Sequence, residues 1–194
     1  MAGIGVRGEF AGRTYGFWVS PKAFKTEGIT NRVIPTHLAD YEMKELFTTF
    51  LDYDGISFEN LKEMITELQY NYNLGTAFIF KTQEDSFHVI FPTITSLQTQ
   101  LNILAASECD SEFINYFMRF KERTLRTEGK GTQLAPEFVC VLLSHTHRAV
   151  SAAHLCFVIG KSKMKAVKPI LETYNGSAVN TRLQAVQYYT TKYL

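Results

Sequence analysis

Residues 47 to 92 set the tightest constraint on what this chain can fold into. An apolar run ends in Leu51-Asp52-Tyr53-Asp54-Gly55, an amphipathic stretch follows, and two further apolar runs come after it. The second of these reads Ser86-Phe87-His88-Val89-Ile90-Phe91-Pro92. Glu45 to Leu51 suits a strand. Asp52 and Asp54 stand at i and i+2, so an extended backbone turns both carboxylates to one side. Ser57 is placed to cap a helix. Phe58, Leu61, Ile65 and Leu68 mark one face of that helix, and Glu59, Lys62, Glu63 and Glu67 mark the other. Asn73-Leu74-Gly75 ends it. Thr76 to Lys81 and Ser86 to Phe91 read as two strands joined by the turn Thr82 to Asp85, and Pro92 closes the second. The unit is strand–helix–strand–strand, close to the split βαβ plan.

The flanks extend this unit. Thr95 or Ser96 can cap a second helix with Leu97, Leu101 and Leu104 on its inner side, continued by Ser111 to Phe120. Arg123 to Thr127 reads as a short strand, Phe138 to Leu143 as a buried strand, and Leu155 to Ile159 as another, stopped by Gly160. Residues 1 to 22 hold five glycines among short apolar pieces, which points to turns or a hairpin with Tyr15 to Ser20 as an edge strand. A short helix is expected near His37 to Lys44. The last thirty residues look helical, with a break at Asn175-Gly176. The expected fold class is therefore α+β: an RRM-like antiparallel or mixed sheet with helices on one face, plus a C-terminal helical segment. The chain divides into a glycine-rich flank (1–44), the α+β core (45–160) and a basic, Tyr-rich helical segment (161–194).

The formal charge of +1 gives the molecule no strong overall field to attract nucleic acid, so any such binding must come from local patches. Cys109, Cys140 and Cys156 are odd in number and lack CxxC spacing, which argues against a disulfide frame or a zinc site. No apolar run approaches the roughly 18 residues of a membrane span. MAGIGVRGEF lacks the apolar centre of a secretion signal. The expectation is an intracellular, cytoplasmic protein with no membrane partner.

Two carboxylates at a strand end offer hard oxygens to Mg²⁺ or Mn²⁺. The bland alternative is a solvated turn after a strand. His88 shares a strand face with Ile90, while Phe87, Val89 and Phe91 share the other. If strand order brings His88 beside Asp52 and Asp54, it can donate a hydrogen bond to a phosphate. Otherwise it is a structural histidine. Arg119, Lys121, Arg123, Arg126 and Lys130 form a basic run, in which Arg126 and Lys130 flank a glycine turn suited to holding phosphate. Glu122 and Glu128 soften that run, so a plain solvated surface is the competing reading.

These residues resemble the archaeo-eukaryotic primase (primase-polymerase-like) superfamily, which includes plasmid and viral replication proteins. Asp52 and Asp54 match the acidic pair of its first motif. Ser86 and His88 match the small residue–any residue–histidine pattern of its second. The third motif, an apolar residue followed by a metal-binding Asp, is not evident; Asp110, preceded by Cys109, is the nearest acidic residue. The resemblance covers about residues 45 to 130. It implies an RRM-like sheet and a DNA-replication nucleotidyltransferase that acts with Mg²⁺ or Mn²⁺ on nucleoside triphosphates. It also implies single-stranded DNA or RNA as template, with other replication proteins as further partners. Asp52, Asp54 and His88 would be catalytic, with Asp52 and Asp54 holding metal and Ser86, His88, Arg126 and Lys130 holding nucleotide or phosphate.

A second constellation competes. Ser144-His145-Thr146-His147 follows the strand at 138–143, and two histidines at i and i+2 can grip one divalent ion. Tyr189 and Lys192 share a helix face three residues apart. His145, His147, Tyr189 and Lys192 together resemble the HUH rolling-circle replication endonucleases, in which a tyrosine becomes covalently linked to DNA. The middle position of that family's His motif is apolar; here it is Thr146. A third reading keeps the scaffold as a non-catalytic nucleic-acid-binding protein.

Overall fold

The computed structural model of the chain describes residues 4–10, 13–19, 28–33, 45–127 and 134–162. In the glycine-rich flank, β1 (Ile4–Phe10) and β2 (Arg13–Val19) pair antiparallel as a hairpin. Next come β3 (Gly28–Thr30) and β4 (Arg32–Val33), separated by Asn31 alone. The core then runs β5 (Leu46–Asp54), α1 (Phe58–Tyr72), β6 (Ala77–Gln83), β7 (Ser86–Ser96), α2 (Leu97–Ala106) and α3 (Ser111–Phe120). It ends with β8 (Thr124–Arg126), β9 (Glu137–Leu142) and α4 (Ala152–Ser162). No helix among the described residues is long and apolar enough to cross a membrane.

The expected α+β class holds. The main sheet has the order β4-β5-β7-β6-β9, and every neighbouring pair is antiparallel. β5 and β6 therefore run parallel to each other with β7 between them, the split βαβ arrangement. Ser57 caps α1 by accepting from the Asn60 N–H, and Asn73 closes it in the left-handed region (φ 50°). Leu61, Ile65 and Leu68 are the buried stripe, as the spacing requires. They meet Leu51, Val89, Phe91 and Ile79 of the sheet in one continuous core. Phe47 and Phe117 pack edge to face at 5.4 Å, and Thr49 Oγ1 donates to Gln100 Oε1 of α2 at 2.9 Å.

Buried polar side chains join the layers. Gln69 Nε2 donates both to the Gly75 carbonyl (2.9 Å) and to the Leu142 carbonyl (3.0 Å), tying the end of α1 to β9. Asn31, 1% exposed, is the point at which its strand changes partners. Its N–H donates to the Arg123 carbonyl and its own carbonyl accepts from the Thr48 N–H, both at 2.8 Å. Hence β3 pairs with β8 while β4 pairs with β5, and the sheet system draws on residues ahead of position 45. Gln69→Leu is expected to cost about 1–3 kcal/mol, because one buried and one part-buried carbonyl lose a donor. Chemical denaturation reads this directly.

Several expectations are corrected. Pro92 does not close β7. Lacking an N–H, it sits in a bulge opposite Thr48/Thr49, and the strand runs on to Ser96. The backbone groups freed by the bulge are served from elsewhere: the Pro92 carbonyl accepts from the Ser151 N–H and the Ile94 N–H donates to the Ala149 carbonyl, each at 2.8 Å. β9 is a half-exposed edge strand, with Val139 38% exposed, and is not buried. Leu155 to Ile159 lies within helix α4, because a five-residue apolar run carries no decisive period. α4 also breaks the one-face rule. It packs on the face of the sheet opposite α1 and α2, with His154 edge-on to Phe50 at 5.7 Å. His154 Nδ1 pairs with Ser151 Oγ and Nε2 with the Thr30 carbonyl, both at 2.7 Å. The expected helices at 37–44 and beyond 165 lie outside the described residues.

Candidate functional site: a carboxylate pair facing a histidine

Two turns fix the end of the sheet where the polar residues gather. Gly55 turns the chain out of β5 with φ 71°, a conformation that favours glycine. Asp85 turns the β6–β7 hairpin with φ 51°, and its carbonyl accepts from the Ile56 N–H at 3.0 Å. With these turns joined, the register of β5 on β7 puts Asp52 opposite His88 and Asp54 opposite Ser86. His88 in turn lies opposite Phe80 of β6, and Phe80 opposite Phe138 of β9. Alternation then gives one face carrying Phe50, Asp52, Asp54, Ser86, His88 and Ile90. The other face carries Leu51, Tyr53, Phe87, Val89 and Phe91 toward the helices. Tyr53 Oη donates to the Ser107 carbonyl there, and burial, with Cys109 nearby, pushes the phenol well above its ordinary range.

His88 Nε2 stands 3.5 Å from Asp52 Oδ1. That distance would suit an ion pair, but the electrostatics oppose one. Burial, aided by the Arg126 and Arg123 charges, pushes His88 down to about 4. Burial, then the charges of Asp54 and Asp110, pushes Asp52 up to about 6 against the pull of Arg123 and Arg126. At neutral pH the contact is therefore a neutral imidazole beside a strained carboxylate. A raised carboxyl pKa means that Asp52 favours the fold below its unfolded value of 3.8, and that this contribution is lost as pH rises through about 6. The full loss is roughly 3 kcal/mol. Asp52→Asn is expected to recover much of it at pH 7–8 and nothing at pH 4. Urea melts of both proteins across pH 4–8 measure the difference.

Asp110 enters the site through its backbone. Its N–H donates to the Asp52 carbonyl at 2.8 Å, while its Oδ1 caps α3 by accepting from the Phe113 N–H at 2.7 Å. Arg126, half-buried, donates from Nη1 to the Leu134 carbonyl at 2.9 Å. A narrow cleft, about 20 Å³ in volume, runs past His88 and Arg126. Its walls are Phe80, Ile90 and Leu125 on one side and Phe157 and Lys161 of α4 on another. Ser86 is buried, with its Oγ donating to the Glu84 carbonyl at 3.4 Å.

The structure thus brings Asp52, Asp54, Ser86, His88 and Arg126 to one end of one sheet face. Lys130, Tyr189 and Lys192 lie outside the described residues. His145 and His147 fall in the loop after β9 rather than on a strand. Both are exposed, on either side of buried Thr146, whose Oγ1 donates to the Asn73 carbonyl. Arg123 and the α4 pair Phe157 and Lys161 are additions to the expected set. In the sequence Arg123 stands only as one member of a basic run, and the apolar run of α4 reads as a strand.

Among the described residues, no three His, Cys, Asp or Glu side chains converge as a ready metal cage. The donor chemistry still suits a hard cation. Mg²⁺ commonly takes one or two carboxylates and completes its shell with water and phosphate oxygens. Asp52, held up by burial and two like charges, is a carboxylate whose ionised form a cation would stabilise. Compared with protein-family models, curated proteins and solved structures, the chain matches none.

Proposed function

We propose that the chain carries a metal-dependent nucleotidyltransferase site of the primase-polymerase type, acting on single-stranded nucleic acid with nucleoside triphosphates. The observation that carries this reading is the cross-strand register, which opposes Asp52 to His88 and Asp54 to Ser86. A bound Mg²⁺ or Mn²⁺ would neutralise phosphate charge and make an attacking hydroxyl more acidic. Asp52 and Asp54 would hold it. His88, neutral at physiological pH, is free of the repulsion that an imidazolium would feel from Arg126 and Arg123, and its ring N–H can donate to a phosphate oxygen. Arg126, at the same cleft, supplies a guanidinium for a second phosphate oxygen. The third acidic position is carried, if by any described residue, by Asp110 at the start of α3.

The test is a denaturing gel of end-labelled single-stranded DNA and RNA, primed and unprimed, incubated with Mn²⁺ or Mg²⁺ and mixed nucleotides. Longer products are expected. Unchanged strands under all conditions would contradict the reading. Shortened DNA with label retained on protein, and lost in Tyr189→Phe, would transfer the activity to the His145, His147 and Tyr189 constellation.

A further inference from the structure

α3 ends in an exposed ladder of rings and cations. Arg123 stacks over Phe113 at 4.2 Å and over Tyr116 at 4.6 Å, measured from its guanidinium carbon to the ring centres. Tyr116 and Phe120 lie 4.4 Å apart, and Arg119 stacks over Phe120 at 5.1 Å. Phe113 is buried and anchors the ladder, whereas Tyr116 is 47% and Phe120 52% exposed. Packing does not account for the two outer rings. Capping accounts for part of the charge, since cations suit a helix C-terminus. It does not explain why both guanidiniums sit over aromatic rings. Neither Arg119 nor Arg123 forms an ion pair among the described residues, and the Nε of Arg123 is buried there without an acceptor. The nearest acid in sequence, Glu122, is turned to Thr30, accepting from its Oγ1 at 2.7 Å.

From this arrangement we infer that the C-terminal half of α3, with Arg123 beyond it, is a stacking platform for the bases of a single-stranded nucleic acid. Exposed rings present π-faces that any base can stack on, and interleaved guanidiniums meet phosphates and add cation–π attraction. A second copy of this chain fits less well, because it would bring the same Arg119 and Lys121 cations against themselves. The platform also adjoins the proposed site: the Arg123 charge acts on both Asp52 and His88. The inference rests on the proposed function, which calls for a single-stranded nucleic acid as partner.

The experiment is fluorescence anisotropy with labelled dT12 and U12, in EDTA and without nucleotides, so that binding is separated from any incorporation. Tyr116→Ala/Phe120→Ala should weaken binding at least tenfold, the effect of losing about one stacked base. Arg119→Glu, a milder surface change, should also weaken it and make its loss with salt shallower, because one fewer phosphate is neutralised. Tyr116→Trp should bind like wild type, and its fluorescence should be quenched by the oligonucleotide. Wild-type binding in the double variant, with its fold checked by circular dichroism, would overturn the inference. So would absence of binding by the wild type, or a concentration-dependent dimer that the same substitutions abolish while leaving oligonucleotide binding unchanged. If binding follows these expectations and no nucleotide is ever incorporated, the platform stands and the transferase reading falls.

Discussion

Asp52→Ala/Asp54→Ala will lower metal-dependent nucleotide incorporation by roughly three orders of magnitude or more, the scale on which removing fixed charge stabilisation acts. The protein will not become less stable. Asp54 is exposed, and Asp52 carries a burial and repulsion penalty in its ionised form. At pH 7.5 the double variant should therefore melt at or above the wild-type temperature while losing activity. The pairing of those two results is diagnostic. Lost activity with lost stability would mean that the carboxylates serve the fold. Retained activity would remove them from the chemistry. At pH 4, where Asp52 is protonated in the wild type, the stability gain should vanish.

Phe47→Ala gives the opposite pattern. Phe47 is fully buried on the helix side of β5, beside the bulge, with its ring edge to face with Phe117 of α3. Truncation removes a large apolar surface and one aromatic pair, and leaves a cavity between rigid layers. The expected cost is about 3–5 kcal/mol. A typical domain holds about 5–15 kcal/mol in total, so the variant is expected to be partly unfolded near physiological temperature. Equilibrium urea denaturation at 15 °C, where the variant still folds, gives the number. A loss below about 1 kcal/mol would show that α3 does not rest on Phe47.

The contrast between these two variants explains what was legible in the chain and what was not. The β5–α1–β6–β7 unit was readable because each part carries its own period. Leu61, Ile65 and Leu68 repeat as a helix face. Phe87, Val89 and Phe91 alternate against His88 and Ile90. The faces of Asp52, Asp54 and His88 follow from alternation alone. Their register does not. It depends on the joined turns at Gly55 and Asp85 and on the bulge at Pro92, which are tertiary choices. The α4 run Leu155 to Ile159 reads as a strand because five apolar residues suit a buried strand and a buried helix equally. Only the helix places Phe157 and Lys161 in the wall of the His88 cleft. Arg123 could not be separated from its basic neighbours until its contacts with Phe113 and Tyr116 were known. Asn31 left no signal at all, since a buried asparagine that exchanges strand partners looks in sequence like an ordinary turn residue.

The site's electrostatics define what a ligand must do. Burial, with the charges of Asp54 and Asp110, raises the Asp52 carboxyl to about 6, and a divalent cation would draw it back toward ordinary values. Metal affinity should accordingly fall steeply below pH 6, as protons compete for Asp52. It should strengthen when a triphosphate adds oxygens to the shell that Asp52 and Asp54 begin.

The most direct measurement is the free-Mn²⁺ electron paramagnetic resonance signal during titration at pH 7.5, with and without a nucleoside triphosphate that cannot be hydrolysed. The account predicts that wild-type protein with triphosphate removes Mn²⁺ from solution beyond what triphosphate alone removes, and that Asp52→Ala/Asp54→Ala does not. Equal uptake by the two proteins, or no uptake by the wild type beyond triphosphate alone, would contradict a metal-dependent nucleotide site at these carboxylates.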